Sequence, residues 1–400
     1  MQVIIYFNSS YPYGAAATNR VHQLCKGLHN NEVDVNLIIT NATESKSDTL
    51  NNQIEGTYEG IRFKYLSKTT LRSKGLLLRK AEDIICYLRT YKHLVFSTKS
   101  SGAILVIGGA TFDYRVLIPI IARIIRKYVF LEINEYPFVT RKNGSWKLFI
   151  EFFFFRFVVP WYNGFIVISE HLAKEIDRYK VRKARIIKIP ILSELQELSK
   201  SGSSAPCSVP YIIHAGSMIE QKDGIIGSLK AFAMARRELE MDIYYLITGD
   251  PSLSPDYDII KRFIQDEGLE GSVVFTGYLD KNELSDYLHH ASLAIVNKSP
   301  NKQNEYCFAT KISEYIAFGI PMILTRVGEV RHYFTDGYNA LIVEPDDVVQ
   351  LAKAIVKLFS ERALVESLAS NALKLLAKDF NTDYNGARLK DFLAQNSNQY

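Results

Sequence analysis

Short apolar runs alternate with stretches of helical period along nearly the whole chain. Residues 3–7 form a first run, followed by a turn-rich loop over 8–14 and a helical stretch over 18–28. Further runs fall at 33–39, 103–107, 128–133 and 165–169, with a helical stretch over 117–125. A second series has runs at 211–215, 243–248, 273–276, 293–296, 322–325 and 340–343. Helical stretches at 224–238, 257–267, 281–289 and 311–318 separate them, and a helical region from 348 to the end breaks near 379–384. Short, uniformly apolar strands alternating with helices predict parallel, doubly wound sheets in an α/β fold. The rhythm breaks over 194–210. There Ser199-Lys-Ser-Gly-Ser-Ser-Ala-Pro has the small, polar composition of a linker. This predicts domains over 1–198 and 208–378.

Length agrees with two cores, because 400 residues exceed what one core usually organises. The net charge is only +5, but its distribution is uneven. Residues 1–199 carry 28 Lys/Arg against 17 Asp/Glu, a net of +11, and residues 200–400 a net of −6. The first half therefore suits an anionic surface or substrate. Cys25, Cys86, Cys207 and Cys307 are far apart and form neither a zinc pattern nor a disulfide framework, as expected of a cytoplasmic protein. The first residues read as a strand and not as a signal peptide. The longest apolar stretch, 152–161, is too short for a bilayer span of about 20 residues.

Candidate chemistry concentrates in the second half. Segment 304–321 reads Asn-Glu-Tyr-Cys-Phe-Ala-Thr-Lys-Ile-Ser-Glu-Tyr-Ile-Ala-Phe-Gly-Ile-Pro. It predicts a helix over 311–318, with Thr310 as N-cap and Gly319 as terminator. A helix N-terminus behind small residues offers free N–H groups to a diphosphate. Glu314 falls one turn in, on the face of Lys311. It can accept hydrogen bonds from a ribose diol while Lys311 meets phosphate; the plainer reading is a surface Lys–Glu pair. Segment 214–224, His-Ala-Gly-Ser-Met-Ile-Glu-Gln-Lys-Asp-Gly, ends a strand at Gly216 and opens a helix beside Lys222, a second anion site. Gly249 ends a further strand, where ligands bind in open α/β sheets. A loop of small residues, 11–20, follows the first strand.

In this order the motifs resemble the retaining glycosyltransferases of the GT-B fold, family four. The resemblance spans nearly the whole chain and is strongest over 213–343. Matching phrases include Gly164-Phe-Ile-Val-Ile-Ser-Glu-His-Leu, Val274-Phe-Thr-Gly-Tyr and Asp286-Tyr-Leu-His-His-Ala-Ser-Leu-Ala-Ile. It implies two Rossmann-like domains facing a cleft, acceptor side first and donor side second. A last helix from about 383 would pack back on the first domain. It implies a nucleotide-sugar donor such as a UDP- or GDP-sugar, and a polysaccharide or lipid-linked glycan precursor as acceptor. The donor site would comprise Gly216, Ser217, Lys222, Gly249, Tyr306, Phe308, Ala309, Thr310, Lys311 and Glu314. Glu314 would hold the ribose, with Lys222 and Lys311 as catalytic cations at the diphosphate. Gly14, Ala15, Asn134 and Glu135 would lie on the acceptor side, Glu135 also in a catalytic place. No metal or other cofactor is implied. Four positions depart from the family pattern: Ser217 replaces an Arg, Tyr306 a first glutamate with Glu305 one place out of register, Asn134 a His, and Ala15 a second glycine. A subgroup working on polysaccharide precursors shares the Lys-x-x-Glu-Tyr pattern without that glutamate.

Two other readings stay open. A nucleotide-sugar epimerase of the same architecture would use acids and bases such as His214, His332, Glu132 or Glu135. A catalytically silent binding subunit would explain Tyr306, Ser217 and Asn134. Nucleic acid is not expected as a partner and stands a distant third, because the charge is modest and no basic-aromatic motif of known geometry occurs. Segment 145–161 reads as a long helix whose aromatic side chains mostly pack on its own sheet. With the basic clusters at 62–64, 72–80 and 123–127, it also suits peripheral attachment to an anionic membrane.

Overall fold

A computed structural model describes residues 1–45, 49–97, 103–106, 111–138, 145–194 and 205–397. The chain divides into two compact units, Met1–Leu192 with Asn381–Tyr400, and Ser193–Phe380. The first crossing thus lies ahead of the predicted linker, most of which falls outside the described residues.

The first unit runs β1 (Gln2–Phe7), α1 (Ala16–Asn30), β2 (Asp34–Ile39), β3 (Glu55–Tyr58), β4 (Ile61–Tyr65), α2 (Leu76–Ser97), β5 (Ala103–Val106), α3 (Phe112–Ile124), β6 (Val129–Ile133), α4 (Ser145–Phe153), β7 (Gly164–Val167), α5 (Glu170–Asp177) and β8 (Arg185–Lys188). Its eight strands are ordered β3-β4-β2-β1-β5-β6-β7-β8, all pairs parallel except β3–β4. The apolar runs became strands because both faces of the sheet are covered. On β1, Val3, Ile5 and Phe7 join the core that includes Val21, Leu24 and Leu28 of α1. Tyr6 points to the opposite face, where its hydroxyl meets His93 of α2 at 2.9 Å. That alternation is the period-two geometry of a strand.

The second unit runs β9 (Tyr211–Ala215), α6 (Glu220–Asp223), α7 (Ile225–Glu238), β10 (Tyr244–Thr248), α8 (Tyr257–Asp266), β11 (Val273–Gly277), α9 (Lys281–His289), β12 (Leu293–Val296), α10 (Lys302–Tyr306), α11 (Lys311–Ala317), β13 (Met322–Thr325), α12 (Val330–Tyr333), β14 (Leu341–Val343), α13 (Val348–Ser360) and α14 (Arg362–Ala377). Its all-parallel sheet has the order β11-β10-β9-β12-β13-β14. The predicted terminal helical region breaks at Glu361 as well as near 379–384, so its last part is α15 (Thr382–Ser397).

Two expectations need correction. Segment 145–161 is not one long helix: α4 passes into a π-helical turn over Phe154–Val158 and a 3-10 turn over Val159–Trp161. Nor are most of its aromatic side chains buried. Phe154 and Phe155 are, but Phe149, Phe152, Phe153, Phe157 and Trp161 are exposed.

Helix α15 returns to the first unit and packs along α1, placing Leu389, Phe392 and Leu393 in its core. The two helices touch through glycines. A Cβ on Gly386 would lie 2.1 Å from the Gly27 carbonyl oxygen, and a Cβ on Gly27 would lie 2.5 Å from that of Thr382. The expected result of Gly386→Ala is a loss of about 1–3 kcal/mol, because backbone must move to admit the methyl group. Urea denaturation monitored by circular dichroism measures it, and an unchanged midpoint would show that the helices do not touch there.

Candidate functional site

In the second unit the strand order reverses between β9 and β12. Ligands of open α/β sheets bind outside the carboxyl ends of the strands at such a point. Two glycines bare the backbone there. Gly216, after β9, has φ 128°, and Gly249, after β10, has φ 116°. Side-chain-bearing residues rarely adopt such values. A Cβ on Gly249 would sit 2.8 Å from the Gly216 carbonyl oxygen, so the two strand ends are pressed together.

Lys311, the first residue of α11, reaches the same place. A Cβ on Gly216 would lie 3.3 Å from its Nζ. The ammonium donates to Asp223 Oδ1 at 2.9 Å, and the Ser217 hydroxyl donates to Asp223 Oδ2 at 2.8 Å. His214 Nε2 lies 3.5 Å from Lys311 Nζ. Asp223 is 3% exposed, so both of its oxygens are satisfied inside the protein. Lys298, in the loop after β12, is 6% exposed; its Nζ donates to the Lys222 carbonyl oxygen at 2.9 Å and to Asn304 Oδ1 at 3.2 Å. Asn297 Nδ2 donates to the Gly224 carbonyl oxygen at 2.8 Å. The loops after β9 and β12 are thereby tied across the switch point.

Burial and charge oppose each other in this cluster. Burial alone would raise the Asp223 carboxyl, but the ammonium groups of Lys311 and Lys298 hold it well below the usual carboxylate range. Burial, with Lys311 beside it, pushes His214 down to about 4, so its ring is neutral at pH 7. Burial also lowers Lys298.

The residues singled out from the sequence fare unequally. Gly216, Ser217, Gly249 and Lys311 come together. Lys222 does not open α7; it lies in the one-turn helix α6, closed by Gly224 in the left-handed conformation, and its side chain is half-buried. Thr310 precedes α11 as expected, but its side chain makes no capping bond. Its carbonyl oxygen, like that of Ala309, accepts a turn hydrogen bond, from Ser313 and Ile312 respectively. Glu314 lies half-buried in the first turn, and Lys311 pairs with Asp223 in place of the surface Lys–Glu pair. The Phe308 ring stacks on Tyr333 at 5.5 Å and meets Phe380 edge-on at 5.7 Å. Tyr306 ends α10, half-buried. The Glu305 carboxylate accepts from Gly328 N at 3.1 Å, a structural use. Sequence reasoning missed Asp223 and Lys298 as members of the site. Asp223 stood inside the quoted 214–224 segment, whereas Lys298 carries no local signal.

In the first unit, Gly14 and Ala15 are exposed in the loop after β1, and Asn134 and Glu135 follow β6, Glu135 exposed. A Cβ on Gly14 would lie 2.2 Å from Thr18 Oγ1. A polar cavity of about 540 Å³ opens beyond β1, β2 and β4, with Ser9, Thr43, Arg79 and Asp83 in its wall. Of the acids and bases an epimerase would need, Glu132 is buried and paired with Arg20 at 3.2 Å, and His332 is exposed.

Residues 199–375 match the family model of group 1 glycosyl transferases. A 2-deoxystreptamine N-acetyl-D-glucosaminyltransferase of Niallia circulans is 28% identical over 127 residues, 32% of this chain and 31% of that protein. Matches to curated relatives span between 24% and 58% of their length. The sucrose-phosphate synthase of Thermosynechococcus elongatus superposes with a TM-score of 0.69 at 17% identity, covering 98% of each chain. Anabaena HepE, solved with UDP and glucose, superposes with a TM-score of 0.68 at 14% identity, covering 99% of this chain and 100% of that one. The chain has the GT-B fold.

Asp223→Asn leaves Lys311 without its counter-charge. The expected loss at pH 7 is about 3 kcal/mol, the lower end for a broken buried pair, because Lys311 keeps some contact with solvent. The Asp223 pKa is depressed by folding, so its stabilisation is complete above the ordinary value near 3.8 and is lost as pH falls below it. Denaturation midpoints of the two proteins should therefore differ at pH 7 and converge in acid. A gap independent of pH would contradict the ionised pair.

Proposed function

We propose that this protein is a glycosyltransferase that moves a sugar, with retention, from a nucleotide-sugar to a polysaccharide or lipid-linked glycan precursor on the cytoplasmic side of a membrane. One observation carries the reading: Lys311 is fixed by Asp223 against the bare backbone of Gly216, at the switch point of a doubly wound sheet. The match of this unit to group 1 glycosyl transferases supports it, as does the HepE likeness with UDP and glucose.

As the glycosidic bond breaks, negative charge grows on the departing diphosphate. A cation held beside it stabilises the transition state more than the ground state. Lys311 serves that role, Lys222 adds a second charge from the adjoining turn, and Glu314 accepts the ribose hydroxyls. Ser217 belongs to the positioning network through Asp223, so the missing Arg is replaced by an anchored lysine. On this reading the chemistry requires no metal. The acceptor occupies the first unit near Gly14, Ala15, Asn134 and Glu135. A thermal-shift panel of UDP-, GDP- and dTDP-sugars identifies the donor, and the anomeric configuration of the product, read by NMR, decides retention.

Lys311→Ala should lower turnover about ten-fold or more, equivalent to roughly 1.4 kcal/mol. Glu314→Gln should weaken nucleoside-diphosphate binding by about 1–3 kcal/mol, the contribution of a charge-assisted hydrogen bond. Steady-state kinetics and calorimetry measure these. Wild-type turnover in the first variant would remove Lys311 from the reaction, and unchanged affinity in the second would make Glu314 a bystander.

A further inference from the structure

Helix α2 turns charged side chains toward the sheet. Arg79, Glu82, Asp83 and Cys86 follow the i, i+3, i+4, i+7 spacing of one helix face. Along that same face Cys86, Thr90 and Leu94 are buried, and His93 meets β1. The opposite side exposes Leu77, Ile84, Leu88 and Tyr91. The charged half of the inner face forms part of the wall of the polar cavity of about 540 Å³ beyond β1, β2 and β4. Charged side chains lining it are Arg72, Arg79, Arg89, Glu82, Asp83 and Asp113. The cavity is therefore balanced in charge, although residues 1–199 carry a net +11.

Arg79 precedes Glu82 by three residues and Asp83 by four, spacings at which opposite charges can pair on a helix. Among the described residues neither pair forms, and no ion pair joins any two of these charged groups. Neutral groups hold them instead. Arg79 Nε donates to the Ser73 carbonyl oxygen at 2.6 Å, and the Ser73 hydroxyl donates to Glu82. Asn41 Nδ2 donates to Asp83 Oδ1 at 2.9 Å, and the Tyr87 hydroxyl donates to Asp113 Oδ2 at 2.9 Å. Arg89 donates to the carbonyl oxygens of Leu66 and Ser67 at 3.0 and 2.7 Å. The charges are thus fixed in place without being compensated. Beside Asp83, the buried Asn41 Oδ1 has no hydrogen-bond partner among the described residues.

We propose that this cavity is a binding site for an amino sugar that also carries an acidic group, as a hexosamine phosphate does. A purely anionic ligand would meet the guanidinium groups but lie against the carboxylates, and a purely cationic one would do the reverse. Taking a charge out of water is unfavourable unless a counter-charge replaces the water. A ligand with one ammonium and one phosphate or carboxylate supplies both. The carboxylates and Asn41 Oδ1 accept from the ammonium, and the guanidinium groups donate to the acidic group. The hydroxyls of Ser9, Thr43 and Thr69 on the remaining wall suit the hydroxyls of a sugar, since each can donate or accept. The volume lies within the range of small-molecule sites. None of the lining residues belongs to the donor site or to the acceptor positions proposed above, so the inference is independent of that reading.

Calorimetric titration of the full chain with glucose, glucosamine, glucose 6-phosphate and glucosamine 6-phosphate tests it, at a slightly acid pH that keeps the amine protonated. Glucosamine 6-phosphate should bind about ten-fold or more tightly than either singly charged sugar, and glucose most weakly, because each charge meets its own partners. Asp83→Asn should weaken glucosamine 6-phosphate about ten-fold while sparing glucose 6-phosphate. Arg79→Gln should weaken both phosphates while sparing glucosamine. Glu82→Gln replaces Asp83→Asn in this comparison should circular dichroism show the latter unfolded. Lys311→Ala should change none of these affinities, which separates the cavity from the diphosphate place proposed in the second unit. Turnover plays no part in the measurement, so failure of the glycosyltransferase reading would leave it intact. Equal affinity for the four sugars, or no binding of any, overturns the proposal. So does binding of glucosamine 6-phosphate that Lys311→Ala removes, or that inorganic phosphate matches.

Discussion

The buried ion pair between Lys311 and Asp223 organises the second unit's strand ends. It joins the start of α11 to the turn after β9, two segments 88 residues apart in the chain. Taking two charges out of water is unfavourable unless their remaining valences are met. Here the Ser217 hydroxyl occupies the second carboxylate oxygen, and the neighbouring Lys298 adds positive charge. The pair fixes an ammonium beside Gly216 before any ligand arrives. Gly249 completes the arrangement, because a Cβ there would press on the Gly216 carbonyl oxygen and part the two strand ends. A site so built needs little rearrangement to receive an anion, which is where positioned charges gain most over mobile ones.

Legibility in the sequence followed the physics of each element. Apart from the edge strand β11, the strands of the second unit are apolar runs because they are covered on both faces, and the ends of all six were predicted to within a residue or so. Strand β4 reads Ile-Arg-Phe-Lys-Tyr, with alternating burial, and pairs with the polar strand β3 at the sheet margin. Neither gives a continuous run, and both were missed. Helix α2 was missed for a different reason. An inner and an outer apolar stripe on one helix blur the 3.6-residue period that marks an amphipathic helix. The site was legible where local pattern suffices. Gly216, Gly249 and Lys311 each end a strand or open a helix. Asp223 and Lys298 were not read as site residues, because their roles arise only from contacts between loops far apart in sequence.

The two faces of the first unit's sheet are finished differently. One is sealed by α1 and α15, whose glycines allow the helices to meet backbone to backbone. The other is covered by α2 and α3 and leaves large apolar side chains turned outward.

The return of α15 also sets an order on biosynthesis. Everything from Ser193 to Phe380 is, in effect, an insertion between the last strand of the first unit and its sealing helix. While the ribosome makes those residues, Phe130 and Gly164 lack the ring of Phe392 that covers them in the finished fold. At elongation rates of about 5–20 residues per second, that interval lasts roughly ten to forty seconds. The second unit, contiguous in sequence, has all its strands in hand before the first unit receives its last helix. The domain synthesised first is therefore the one completed last.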